Sequence, residues 1–380
     1  MLKLFTGLLR RKTRENGMKK MNNKGILTWW ASFAILVQVQ IGIGILSLPR
    51  DVHNIAEGDG WISVLLAGLT IQLFVTVIWL LATRFNSQTL YEFAPKLVGK
   101  YLGRLINLAY SVYFLSMVFL TTLLFTDILK RWVLFKTPHL VIYVLVIGVA
   151  YYLAKDNIKV IARFYTFTAI FVILLIFILV PALVSFDIRF VLPVGQAGMN
   201  NIVKGIEEVT NSMLGFELLL VLFPFIDERY RRYSIVLAAN GFVTILYTLI
   251  VFITITVFSP AEIKLIPEPV LYMLKSFQFD LVERIDLLFM SVWLVSIVTT
   301  LVMYLYVASL GITTILKRKS HAQVVAWCAL LIITVLFIAE KDIYGIDNYV
   351  QALSNSSYLF IFVLPLILLS LSFIRKERGK

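Results

Sequence analysis

Cysteine, histidine and charge are all scarce in this chain: 380 residues hold one Cys and three His, and 15% are charged. Lone Cys328 sits in an apolar run and has no partner for an internal disulfide, so no oxidised framework holds the fold. His53, His139 and His321 fall at segment ends, far apart in sequence. They offer neither a metal cluster nor the nucleophile–base pairing of a hydrolase, and no paired carboxylates stand at membrane depth, so an enzyme is not expected. What fills the chain is apolar: 60% of residues are hydrophobic and the mean hydropathy is +0.88. A soluble domain cannot cover that much apolar surface, which makes this a polytopic membrane protein.

Ten runs approach the ~20 residues that cross a bilayer. They lie near 26–48, 61–82, 104–126, 139–154, 161–184, 207–226, 234–258, 284–315, 323–339 and 355–373. With ten spans both termini share one side, and Lys and Arg decide which. The N-terminus, the alternate loops on its side and the C-terminus together hold 25 of the 35 basic residues. Both termini are therefore expected to be cytoplasmic. The net charge of +13 is then a topology signal with some attraction to anionic lipid, and no nucleic-acid partner is expected. Residues 1–25 read as a basic cytoplasmic tail, in which Leu4, Phe5, Leu8 and Leu9 among Arg10, Arg11, Lys12 and Arg14 suggest a short amphipathic surface helix or a disordered arm. No small-residue cleavage site follows, so it does not read as a signal peptide.

One stretch of the first run stands out: Gln38-Val39-Gln40-Ile41-Gly42-Ile43-Gly44-Ile45-Leu46-Ser47-Leu48-Pro49-Arg50. Two glutamines and two glycines in mid-span make a poor continuous helix and a good break. Irregular backbone at membrane depth survives where it is buried in protein or lines a wet cavity, and in many secondary transporters such a break is the binding site. Close packing of two helices across the glycines is the plainer alternative.

Spans 1–5 (residues 26–184) and 6–10 (residues 207–373) read as two halves joined by an extracytoplasmic connection over 185–206, with a cytoplasmic tail at 374–380. An odd number of spans per half inverts the second relative to the first. Span 6 should then be interrupted as span 1 is, and Thr210-Asn211-Ser212-Met213-Leu214-Gly215-Phe216-Glu217 sits between two apolar stretches. The half-helix after Gly44 would point free N–H groups and its positive dipole end at the break. Carbonyls around Gln40–Gly42 and Asn211–Leu214 would accept from an ammonium or from sugar hydroxyls. An amino acid fits both ends, and a neutral polyol fits less tightly.

Glu217 is the one acidic residue well inside a span, and an intramembrane carboxylate is a functional candidate by default. It could protonate during a transport cycle, bind a substrate cation, bond a freed amide of the other half, or simply tie span 6 to a neighbour. Asp286 and Glu283 beside Arg284 read as an interfacial ion pair, and Glu207 and Glu208 as a solvated outer mouth of span 6 able to tune cation entry. Tyr110, Tyr113, Tyr247, Tyr304 and Tyr306 are candidates to line or gate a pocket. Ser291, Ser296, Thr299 and Thr300 could offer hydroxyls to an ion held against carbonyls of span 1, although helix-packing hydroxyls are commoner.

The Gly-Ile-Gly-Ile-Leu-Ser-Leu-Pro-Arg run at 42–50, the Asn-Ser-Met-Leu-Gly-Phe-Glu run with the later Phe-Pro-Phe over 211–225, and the ten-span plan resemble the spore germination permease family, the B subunits of germinant receptors. That family is similar to the amino acid–polyamine–organocation transporters. The resemblance implies an all-α polytopic membrane protein with ten transmembrane helices in a leucine-transporter-like 5+5 inverted repeat, helices 1 and 6 broken, in the inner membrane of an endospore. It implies recognition of a small-molecule germinant, an amino acid or sugar, together with an A subunit and a lipoprotein C subunit. Carried onto this chain, the pocket draws on Gln40, Gly42, Ile43, Gly44, Asn211, Ser212, Gly215 and Glu217. No cofactor is expected; a coupling ion, if solute crosses the membrane, would be H+ or Na+.

Overall fold

The computed structural model describes residues 25–277, 284–318, 320–340 and 346–375. The N-terminal amphipathic stretch, Glu283 and the last five residues lie outside them. The described residues are helical apart from loops and one isolated bridge, Leu27 to Ile226.

Helix α1 (Trp29–Gln40) begins at a Thr28 cap, whose hydroxyl accepts from the Ala31 amide at 3.3 Å. It stops at Gln40, and α2 (Gly44–Ala56) resumes after three residues. Glu57–Asp59 form a tight turn into α3 (Gly60–Arg84). A Cβ built on Gly60 would meet Val52 Cγ1 at 3.0 Å. Eight residues of straight helix would separate these positions by ~12 Å, so the chain folds back sharply here. A short α4 (Leu90–Val98), capped by a Thr89–Glu92 box, precedes α5 (Lys100–Trp132), α6 (His139–Ala154) and α7 (Ile158–Leu179).

Helix α8 (Gly198–Ser212) starts nine residues before the expected sixth span. Its apolar stripe, Ile202, Gly205 and Val209, is buried, while Asn200, Asn201 and Lys204 dilute the hydropathy that sequence reading relied on. After Met213–Gly215 a short helical stretch, Phe216–Phe225, continues at an angle of 56°; its one α-helical turn is α9 (Leu219–Leu222). There follow α10 (Arg232–Val257), the short α11 (Pro260–Leu265) and α12 (Pro269–Lys275), α13 (Ile285–Ile315), α14 (His321–Ala339), α15 (Ile346–Tyr358) and α16 (Leu364–Ile374). A π-helical stretch, Leu359–Val363, joins the last two.

Among the described residues seven helical stretches are long and apolar enough to cross a membrane, or eight if the bent pair counts as one. Burial ranks them. In α13, 72% of the apolar window is buried, against 33% in α14. Helix α13 therefore forms the spine, packed on α5, α6, α7 and α1, with α14 at the lipid-facing rim.

Candidate functional site

The two irregular segments, Ile41–Ile43 and Met213–Gly215, pack against each other. A Cβ on Gly44 would lie 2.6 Å from Ser212 Cβ, and one on Gly215 would lie 2.9 Å from the Val39 carbonyl oxygen. Gly215 also has φ +128, a conformation that only glycine adopts without strain. Their freed carbonyls are claimed from neighbouring helices. Tyr247 of α10 donates its hydroxyl to Gln40 O (3.0 Å) and Ser212 O (3.3 Å). Trp293 Nε1 donates to Gly42 O (3.2 Å), and Thr300 Oγ1, closer to Ser296 O of its own helix (3.0 Å), also approaches Gln38 O (3.3 Å). The Gln38 side chain bonds the Tyr165 carbonyl and the Thr168 hydroxyl, and Tyr165 donates to Thr299 O. Helices α1, α7 and α13 are thereby locked around Ile41–Ile43.

Against these segments lies a cavity of ≈ 530 Å³, within the usual range for small-molecule sites. Gly42, Ile43 and Gly44 line it with Asn211 and Ser212. All five are half-buried, and Asn211 Oδ1 has no partner among the described residues. Gly44, Ser47 and Asp51, at i, i+3 and i+7, form one wall on α2; Glu207, Glu208, Asn211 and Ser212 form the facing wall on α8. Met117, Leu120, Thr121 and Leu124 of α5, Thr300 and Tyr304 of α13, and Gln351, Ser354 and Asn355 of α15 complete it.

Three of the residues carried over from the resemblance are placed differently. The Gln40 side chain turns back onto Leu36 O (2.7 Å) and faces a small crevice beside Phe216 and Asn240. Gly215 is buried under Val39. Glu217 is 0% exposed and lies behind the cavity wall. One of its carboxylate oxygens accepts from the Gly215 amide (2.8 Å), and the other from Tyr304 (3.1 Å) and Tyr113 (3.3 Å) hydroxyls. The amide it holds belongs to its own segment, not to the other half. Among the span-8 hydroxyls, Ser291 bonds its own helix while Thr299 and Thr300 donate to Ser296 O. Arg284 and Asp286 form the expected pair at 2.6 Å.

Sequence reading missed Ser47, Asp51 and the α15 residues. The signal was present in the 3.6-residue spacing of Gln351, Ser354 and Asn355, but a span drawn from 355 left out Gln351 and Ser354.

Away from the cavity, the chain entering α1 is fastened to the segment that follows α9. Gly25 and Ile26 amides donate to Pro224 O (3.0 Å) and Phe225 O (2.8 Å), and Asp227 N to Leu27 O (3.1 Å). Hydrogen bonding from Arg229 holds the Asp227 carboxyl below the usual carboxylate range.

A family model described as "Spore germination protein" matches residues 27–344. The chain belongs to the spore germination permease family. Spore germination protein YndE of Bacillus subtilis (strain 168) is 28% identical over 359 residues, covering 91% of this chain and 96% of the relative. Two solved transporters resemble this permease in fold. MhsT in complex with L-phenylalanine matches with a TM-score of 0.59 at 14% identity, over 90% of this chain and 88% of its own. A Na+-coupled sialic acid symporter in a substrate-bound outward-open state matches with a TM-score of 0.63 at 12% identity, over 90% and 80%. At such identities the likeness carries the fold alone, that of the leucine-transporter-like carriers.

Proposed function

We propose that this permease is the integral-membrane B subunit of a germinant receptor, binding a small germinant in the cavity between the two irregular segments. Binding shifts the population between two packings of a transporter scaffold, and A and C partner subunits read that shift in the spore inner membrane. The observation that carries the reading is the half-buried Gly42–Gly44 backbone facing Asn211 and Ser212 across a solute-sized cavity in a member of this family.

The same reading counts ten spans: α1 with α2, α3, α5, α6, α7, α8 with the Phe216–Phe225 stretch, α10, α13, α14, and α15 with α16. Spans 1–5 and 6–10 form inverted halves, and both termini are cytoplasmic. The end fastened by the hydrogen bonds of Gly25, Ile26 and Asp227 then faces the cytoplasm, and the cavity faces outward.

Germination of spores lacking this gene, against a panel of single amino acids, sugars and salts, tests the receptor role. Loss of response to one solute class is expected and names the ligand. An unchanged response to the whole panel overturns the role. The second reading is an amino acid symporter coupled to H+ or Na+, favoured by the likeness in fold to coupled carriers. Gradient-dependent concentrative uptake in proteoliposomes would establish it instead.

A further inference from the structure

The cavity is asymmetric in charge along its length. Its inner end is neutral: Gly42 to Gly44, Asn211 and Ser212. Asp51 lies seven residues beyond Gly44 on the same face of α2, ~10 Å further along the helix, and Glu207 and Glu208 flank it on α8. Among the described residues no Lys, Arg or His lines the cavity. Arg50, next to Asp51 in sequence, lies outside the lining, its guanidinium donating to Lys264 O. Among the described residues no three carboxylates are close enough to chelate a metal ion, and none of these three joins an ion pair. They set a negative field at one end of an elongated space rather than a compact ion site.

The inner end has the opposite character. Helix α2 begins at Gly44, and the apolar side chain of Ile43 before it caps none of the first-turn amides. Leu46 N turns to Ile43 O (3.2 Å), while the remaining first-turn N–H groups and the helix dipole suit a carboxylate. The unpartnered Asn211 Oδ1 suits an ammonium beside it. We propose that the cavity selects a basic amino acid, its zwitterionic head at Gly44 and Asn211 and its distal cation among Asp51, Glu207 and Glu208. This rests on the reading of the cavity as the germinant site. A chain of four or five bonds beyond Cα spans the interval between the two ends, whereas alanine or a monosaccharide leaves the acidic end uncompensated.

The test is equilibrium binding of radiolabelled L-lysine to the purified full chain in detergent, competed by L-norleucine, L-alanine, cadaverine and glucose. Norleucine keeps the chain and loses the distal charge; cadaverine keeps the charges and loses the carboxylate. Lysine should bind about tenfold tighter than norleucine, which is ~1.4 kcal/mol. That preference should fall several-fold in 1 M salt, where screening shortens to ~3 Å, and again in Glu207→Gln/Glu208→Gln. The salt titration needs no variant and so does not depend on folding of the mutant. Equal binding of norleucine or alanine, abolished by Gly44→Leu, overturns the charge selection and leaves the site standing. Cadaverine binding as tightly as lysine overturns the assignment of the head. Absence of saturable binding, or binding indifferent to Gly44→Leu, overturns both.

Discussion

Gly44 and Ser212 touch across the junction of the two irregular segments, so closely that a methyl on Gly44 would lie 2.6 Å from Ser212 Cβ. Each segment is thus the other's packing surface, and the backbone of one reaches the cavity only because the other lacks bulk there.

Gly44→Ala should therefore cost ~1–3 kcal/mol by overpacking and shift the germinant dose response to higher concentration. Ser212→Gly removes the facing Cβ and should restore part of the loss in the double variant. A coupling of ~0.5–3 kcal/mol is expected for residues in contact. Strict additivity in thermal unfolding of the purified chain would show that the two positions do not sense each other.

Tyr247 holds both segments from α10 with one hydroxyl, to Gln40 O and Ser212 O, and is itself 0% exposed. Tyr247→Phe keeps the ring and removes the one proton that the buried Gln40 O and the half-buried Ser212 O share. The expected loss is ~1–3 kcal/mol, with a larger effect on germinant response than on protein level in spore membranes. A variant with unaltered stability and unaltered response would mean the hydroxyl is dispensable to both breaks.

The irregular segments were legible in sequence because glycine and amide side chains are rare in apolar runs, and Gly42, Gly44 and Asn211 announce themselves there. The direction of the Gln40 side chain and the placement of Glu217 behind the cavity wall were not. Which way a side chain leaves a broken helix depends on backbone angles such as the φ of +128 at Gly215, which no spacing rule supplies. The early start of α8 and α15 was hidden for another reason. Both are amphipathic: Asn200, Asn201 and Lys204 dilute the start of α8, and Gln351 and Ser354 of α15 line the cavity, so average hydropathy reads them as loop.

Glu217 anchors the second segment through three donors: Gly215 N, Tyr113 and Tyr304. Glu217→Gln keeps the shape but turns an amide N–H₂ toward the two tyrosine hydroxyls, which must then accept and leave their own protons without that acceptor. Loss of ~1–3 kcal/mol is expected from the unsatisfied group. Tyr113→Phe and Tyr304→Phe, which each remove one donor, should cost less than Glu217→Gln. If the pH dependence of germinant response is the same in Glu217→Gln and the parent, the carboxylate is an anchor. If it disappears, the carboxylate titrates during the response.

Asp59 performs a similar task outside the cavity. Fully buried at the α2–α3 turn, its two oxygens accept from Gly195 N (2.7 Å) and Ala197 N (2.9 Å), fastening the connection before α8 to the turn that ends α2. That connection sets where α8 begins, and α8 carries Glu207, Glu208, Asn211 and Ser212. Asp59→Asn retains one acceptor and turns the other into a donor facing an amide, at a cost of ~1–3 kcal/mol. Because the fault lies at the start of α8, faster proteolysis or hydrogen exchange is expected first over residues 190–200 and only then at the cavity. Exchange that rises uniformly across the chain instead would mean that Asp59 supports the whole fold and does not specifically hold α8 in register.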